Sequence, residues 1–284
     1  MTAKTFILCI GAPKAGTTWL YHYLKSFQQV NLGFKKEYHV FDAVNIDSCR
    51  FYAESGKSDA KPGLTAFHQK SAKNHQLLSD FRENHELYFD YFESLYSESI
   101  LLTADITPTY LNLPKSVFRQ IKSGFENRNI RIKIVLLLRD PVDRLVSSAR
   151  MAKRFGGVAG VTVSKTSNLN QILEIFYKTP HIVSNGDYSK ALESVRSCYT
   201  DYDLYIGFYE NMFGDSEILR LSNFFDLEPN YDMAKRKFNV SSNKDDTAID
   251  TELLARIRKI YDKQYEFFRH AFPEEYSGGL WRYY

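Results

Sequence analysis

Apolar positions along this chain follow two alternating rhythms. Short apolar runs, Phe6 to Ile10, Leu101 to Ala104, Ile132 to Leu138 and Leu204 to Phe208, have the length and content of strands buried on both faces. Between them the spacing lengthens to three and four. Trp19, Leu20, Tyr23, Leu24 and Phe27 mark one helix, and Leu253, Leu254, Ile257, Tyr261, Tyr265 and Phe268 form one stripe of a late helix. Pro141 begins another, at a position where its missing N–H does no harm. Strands alternating with helices predict an α/β fold, a central parallel β-sheet flanked by helices, with these aromatics in its core. Two polar stretches, Asp47 to Lys61 and Gly156 to Asn168, break the rhythm and predict mobile loops or lids.

Composition narrows this picture. With 284 residues, 44% hydrophobic and 15% aromatic, the chain can bury a large core, and it is expected to form one domain over residues 1–284. The 37 basic and 34 acidic residues leave only +3, which argues against a nucleic acid polymer as partner while allowing a local basic cleft. Cys9, Cys49 and Cys198 are odd in number and scattered, so neither a disulfide framework nor a zinc site is expected. The first apolar run is too short for a signal segment or a membrane span. A cytoplasmic protein without a membrane span is the expectation.

The turn after the first strand carries the first candidate chemistry. Gly11 and Gly16 have the spacing of a phosphate-binding loop, but Thr17 stands where an NTPase carries lysine, and the nearby lysine is Lys14, inside the loop. The two glycines let the backbone curl, so that the N–H groups of Ala15 to Thr18 can face an anion at the positive end of the following helix. Arg139 ends an apolar strand, where α/β proteins bind ligands, and Ser147 follows it by about two helical turns. In Lys36-Glu37-Tyr38-His39, extended backbone turns Glu37 and His39 to one side.

The stretch Pro13-Lys14-Ala15-Gly16-Thr17-Thr18-Trp19-Leu20 resembles the 5′-phosphosulfate loop of the sulfotransferases, with Ala15 a mild departure. These enzymes use 3′-phosphoadenosine 5′-phosphosulfate (PAPS) as donor. Ile134 to Met151 resembles their strand-loop-helix for the donor's 3′-phosphate, with Arg139 and Ser147 on the usual Arg and Ser. Further similar segments are Glu37 to Asp42, Ile106 to Leu111, Asn185 to Leu192, Ile206 to Met212 and Phe238 to Lys244. The resemblance spans nearly the whole chain and is nearest to the carbohydrate-type and bacterial branches.

The resemblance implies sulfuryl transfer from PAPS to a hydroxyl or amine of a glycan or small-molecule acceptor, with 3′-phosphoadenosine 5′-phosphate (PAP) as product and no metal. Donor contacts are implied for Lys14, Ala15, Gly16, Thr17, Thr18, Trp19, Arg139, Ser147 and Tyr188, and for Ser241, Ser242 and Lys244 in a later loop. The displaced lysine then has a reason: PAPS has a single 5′-phosphate bridged to a sulfuryl group, so the cation is wanted beside that bridge. Catalytic roles are implied for Lys14 and for Glu37 as base, with His39 the other candidate, Lys36 a cleft cation and Asp42 orienting the site. Two departures stand out: Ile106 where that branch usually has lysine, and a later loop poor in Gly and Arg. Two other readings keep the loop. One is a P-loop kinase or NTPase using Asp105 as a magnesium-binding strand end; the other is a catalytically inactive nucleotide-binding scaffold.

Overall fold

The computed structural model describes residues 4–54, 66–236, 238 and 248–283. Five strands, β1 (Thr5–Gly11), β2 (Val30–Asn31), β3 (Leu102–Ile106), β4 (Arg131–Leu138) and, after a small hairpin of β5 (Gly157–Val158) and β6 (Val161–Thr162), β7 (Leu204–Phe208), supply the main sheet. Its order is β2-β3-β1-β4-β7 and every pairing is parallel. β1 lies at the centre with all seven residues buried, which is why it reads as an unbroken apolar run. All four predicted strands are present, with ends within one residue of those expected except that β3 runs two residues further, through Asp105 and Ile106.

Helices cover the sheet. In chain order the first seven are α1 (Thr17–Lys25), α2 (Phe41–Asn45), α3 (Phe51–Glu54), α4 (Ala66–Glu83), α5 (His85–Ser94), α6 (Lys115–Glu126) and α7 (Pro141–Phe155). α1 buries Trp19, Leu20, Tyr23 and Leu24, the predicted stripe, and ends before Phe27. A dense aromatic layer of Phe6, Tyr88, Phe92 and Phe125 joins β1 to α5 and α6, with Phe6 stacked on Phe125 at 3.9 Å between centroids. α7 begins as its sequence dictates: Pro141 is the first residue and the Asp140 carboxylate accepts the N–H groups of Val142 (2.9 Å) and Asp143 (3.3 Å), a cap worth about 1 kcal/mol. Among the described residues no helix is long and apolar enough to cross a membrane.

Two expectations are corrected. The late stripe is split between helices Thr251–Ile260 and Asp262–Ala271, because Tyr261 leaves helical geometry at the junction. Its buried hydroxyl there accepts from Arg144 (3.1 Å) and donates to the Val183 carbonyl (3.3 Å), contacts that anchor the break to α7 and its neighbour. The stretch from Gly156 to Asn168 contains the antiparallel β5–β6 hairpin after a left-handed Gly156 cap, and the first part of the other polar stretch is α3 and a short 3-10 turn at Asp47–Cys49. The rest of that second stretch, 55–61, lies outside the described residues.

Candidate active site

The carboxyl ends of β1, β3, β4 and β7 open onto one crevice, the usual ligand position in such sheets. The loop after β1 forms its floor. Ala12 N–H donates to the Leu137 carbonyl at 2.7 Å, tying this loop to the strand that delivers Arg139. Lys14 and Gly16 take positive φ (71° and 94°), so the backbone doubles back before α1. At Gly16 a Cβ would lie 2.4 Å from the Met212 sulfur, so both conformation and space demand glycine there. Gly16 caps α1 without a side chain, which leaves the first-turn N–H groups of Thr17, Thr18 and Trp19 for a ligand.

Cations converge on this loop. Arg139 Nη1 donates to the Lys14 carbonyl at 3.0 Å, and its guanidinium lies 4.2 Å over the Tyr209 ring. Lys14 Nζ rests 3.3 Å from Met151 Sδ on α7. Ser147 is one turn before Met151 on the same helix face, so it fronts the same space. Burial, together with the charges of Arg139, Arg154 and Lys36, pushes Lys14 down to about 8. Arg139 Nε is buried without a hydrogen-bond partner among the described residues. Crowded cations and an orphaned donor are the signature of a site built around an anion.

The turn bearing Arg139 is clamped from below. Tyr188, fully buried, donates its hydroxyl to the Arg139 carbonyl at 2.7 Å. In this structure it braces the Arg139 turn from the core. Trp19 is buried at the start of α1, its ring stacked on Tyr23 and its indole N–H donating to the Ala234 carbonyl (3.1 Å). Asp140 N–H donates to Glu210 Oε1 (2.9 Å), and the Asp140 carboxylate also accepts from the Tyr265 hydroxyl (2.7 Å) and Tyr283 N–H (3.1 Å). Burial pushes Glu210 up to about 7, against the lowering effect of Asp140 N–H and Arg139.

Beside this basic floor stands an acidic and imidazole cluster. Glu37 forms an ion pair with Lys36 through Oε1, and its Oε2 lies 3.4 Å from His39 Nε2. His39 Nδ1 is 2.7 Å from Asp42 Oδ2, and Asp42, fully buried, also accepts from the Thr109 hydroxyl and Ala43 N–H. Tyr38 points the other way, into the core, its hydroxyl donating to the Leu32 carbonyl. Glu37 and His39 thus meet on one side, but His39 has a left-handed φ of 50°, so the contact does not arise from the extended backbone that the sequence suggested. Arg82 holds the His39 carbonyl (2.9 Å), and Tyr52 of α3 stacks on the imidazole at 3.5 Å and 9°. Burial opposes ionisation of Glu37, but His39 and Lys36 outweigh it and hold the carboxylate at about 2. Burial likewise opposes the imidazolium, and Asp42 and Glu37 outweigh it, so the His39 pKa is raised.

Asp105 does not fit the magnesium reading. It is fully buried at the end of β3 and accepts three hydroxyls, from Thr107 (2.6 Å), Tyr88 (3.0 Å) and Tyr110 (3.1 Å). Burial pushes its carboxyl up to about 7, and the hydroxyls hold it as an internal brace between β3 and α5. Ile106 is buried in β3 and donates its N–H to the Lys36 carbonyl at 3.3 Å. Ser241, Ser242 and Lys244 lie outside the described residues. Sequence reasoning missed Tyr209, Glu210, Met151, Arg154 and Tyr52. Tyr209 and Glu210 lie in Ile206 to Met212, a segment singled out as similar without any residue of it being assigned a role.

Fold and loop together define an α/β protein whose central parallel strand runs through a glycine loop into a helix. A family model described as "Sulfotransferase domain" matches residues 4–276, and the chain belongs to that family. Among solved structures it is similar to a sulfotransferase from Alicyclobacillus acidocaldarius, at 16% identity and a TM-score of 0.60, over 95% of this chain and 96% of that one. It is also similar to the sulfotransferase domain of the olefin synthase of Synechococcus PCC 7002, at 16% identity and a TM-score of 0.50, over 90% and 86% of the two chains. At these identities the likeness speaks for the fold. No match was found among curated proteins by sequence.

Proposed function

We propose that this protein, acting as a single catalytic unit, transfers the sulfuryl group of PAPS to a hydroxyl or amine of a glycan or small-molecule acceptor, releasing PAP. The observation that carries the reading is the convergence of Lys14, Arg139, Lys36 and Arg154 on a glycine loop at a helix N-terminus. The residues fit the donor at both its ends. The loop N–H groups and Thr17 and Thr18 suit the 5′-phosphate, while Arg139, with an unpaired Nε, and Ser147 suit the 3′-phosphate.

Chemistry follows from the cluster beside the loop. Glu37, about a third exposed, faces the crevice and takes the acceptor proton as the acceptor oxygen or nitrogen attacks sulfur. The new bond to sulfur forms as the bond from sulfur to the 5′-phosphate oxygen breaks. Lys14 neutralises the negative charge that grows on that oxygen. His39, engaged at both ring nitrogens, sits behind Glu37 and steadies its charge, with Asp42 holding the ring.

Two measurements test this. Calorimetry is expected to show PAP binding far more tightly than AMP, because the 3′-phosphate has its own charge-assisted partners, worth roughly 1.5 to 3 kcal/mol per hydrogen bond. Equal affinities would sink the donor assignment. An acceptor screen with labelled PAPS, read by mass shift, is expected to return a sulfated product; tight PAP binding with no product on any acceptor would favour the inactive scaffold.

A further inference from the structure

Lys36 and Glu37 are neighbours in sequence, and their side chains pair with each other across the mouth of the crevice. That pairing is at odds with a working base. Glu37 is engaged by Lys36 on one oxygen and by His39 on the other, and at a pKa of about 2 it is a weak acceptor of a hydroxyl proton. Lys36 has somewhere else to go. Its charge lowers the Lys14 pKa alongside those of Arg139 and Arg154, so its ammonium, paired with Glu37, lies within electrostatic reach of the loop lysine. Its backbone is fixed by Ile106 N–H, and its side chain is 22% exposed on a flexible stem. The space between Lys14 and Glu37 is where a sulfuryl group passing from donor to acceptor has to lie.

We propose that Lys36 is a catalytic residue that leaves Glu37 for the sulfuryl oxygens when the donor binds, so that donor binding itself releases the base. The inference rests on the donor reading above. In the donor-free protein the ion pair keeps the crevice charge-balanced and the carboxylate quiet. The sulfuryl group brings negative charge on its oxygens, and the ammonium, keeping its three protons, donates to them. Glu37 then retains only its contact with His39, and its basicity rises when an acceptor can use it. The exchange alters only hydrogen bonds; the single covalent step remains the transfer already described.

PAP lacks the sulfuryl group and PAPS carries it, so the pair isolates Lys36 without any acceptor. Calorimetry on the full chain is expected to show that Lys36→Met weakens PAPS about ten- to a hundredfold more than it weakens PAP, the range of one charge-assisted hydrogen bond. Lys36→Arg keeps the charge and is expected to keep the preference for PAPS, which guards against a folding defect. Glu37→Gln removes the competitor, so it should tighten PAPS several-fold but not PAP, and this gain should vanish when Lys36→Met is also present. A Lys36→Met effect equal on both nucleotides, or absent on both, overturns the proposal, as does a Glu37→Gln gain that survives without Lys36. If the native protein binds neither nucleotide, the donor reading falls first and this inference falls with it.

Discussion

The two halves of the crevice are made differently. The basic floor comes from two contiguous stretches, 11–19 and 139–147, each running from a strand end into a helix start. Its donors are backbone N–H groups and side chains that the strand-turn-helix geometry presents by itself. The acidic half is irregular backbone between β2 and α2, held by residues from elsewhere: Thr109 on Asp42, Arg82 on the His39 carbonyl, Tyr52 on the imidazole, Ile106 on Lys36. The cations proposed to bind the donor are thus written into local structure, whereas the groups proposed to handle the proton depend on packing between distant segments. Variants on the two sides should therefore separate nucleotide affinity from turnover.

The sharpest break is expected at Glu37. Glu37→Gln keeps shape and removes basicity, so steady-state turnover with an acceptor from the screen should fall about a hundred- to ten-thousandfold while PAP affinity holds. The pH profile gives the sign: a carboxylate held at about 2 stays ionised throughout the folded range, so donor-free protein should show no acid limb from Glu37 above pH 4. A limb above the ordinary imidazole value of about 6.5, in the raised direction of His39, that survives in Glu37→Gln would instead assign the base to His39.

Lys14→Ala is next, with turnover expected to drop roughly a hundred- to a thousandfold and PAP affinity much less, since its contact strengthens only as charge develops. A defect confined to donor affinity in calorimetry would reassign Lys14 to binding alone. Arg139→Ala should weaken PAP about ten- to a hundredfold and erase most of the preference over AMP, because it removes a charge-assisted partner of the 3′-phosphate. Unchanged PAP/AMP selectivity would move the 3′-phosphate elsewhere in the crevice.

The smallest effect concerns the clamp under Arg139. Burial raises Glu210 to about 7, so its protonated form suits the fold below the unfolded value of about 4.3, and that advantage is lost as pH rises through 7. Glu210→Gln, which mimics the protonated form, should raise the melting temperature by about 2 to 4 °C at pH 8 and not at pH 4. Thermal unfolding that shifts equally at both pH values would mean the buried carboxyl is not the source.

Legibility in the sequence tracks the same division. The four strands, α1 and the start of α7 follow from apolar spacing, Gly16 and Asp140-Pro141, because each is decided by neighbours within a turn or two. Glu37 and His39 do meet, but through a left-handed His39 that alternation in an extended segment does not foresee. What escaped was every contact made across the fold: Glu210 under Asp140, Tyr209 under Arg139, Met151 against Lys14, Tyr52 over His39. The late stripe of apolar residues was read as one helix because periodicity continues through Tyr261, while the break there is held by Arg144 and Val183, far away in sequence.

By itself the sequence determined that a glycine loop with an internal lysine ends a buried strand and that Arg139 ends another. These are short-range facts, set by backbone sterics and residue spacing. Only the tertiary structure decided that β1 and β4 lie side by side, so that Arg139 meets the Lys14 carbonyl, and that Asp105 is an internal brace, not a metal ligand. It also decided that the Tyr188 hydroxyl meets the Arg139 carbonyl and the Trp19 indole the Ala234 carbonyl. The reason is physical: the charge state and reach of a buried side chain depend on which distant groups desolvate it, pair with it or cover it, and no local pattern in the chain specifies those neighbours.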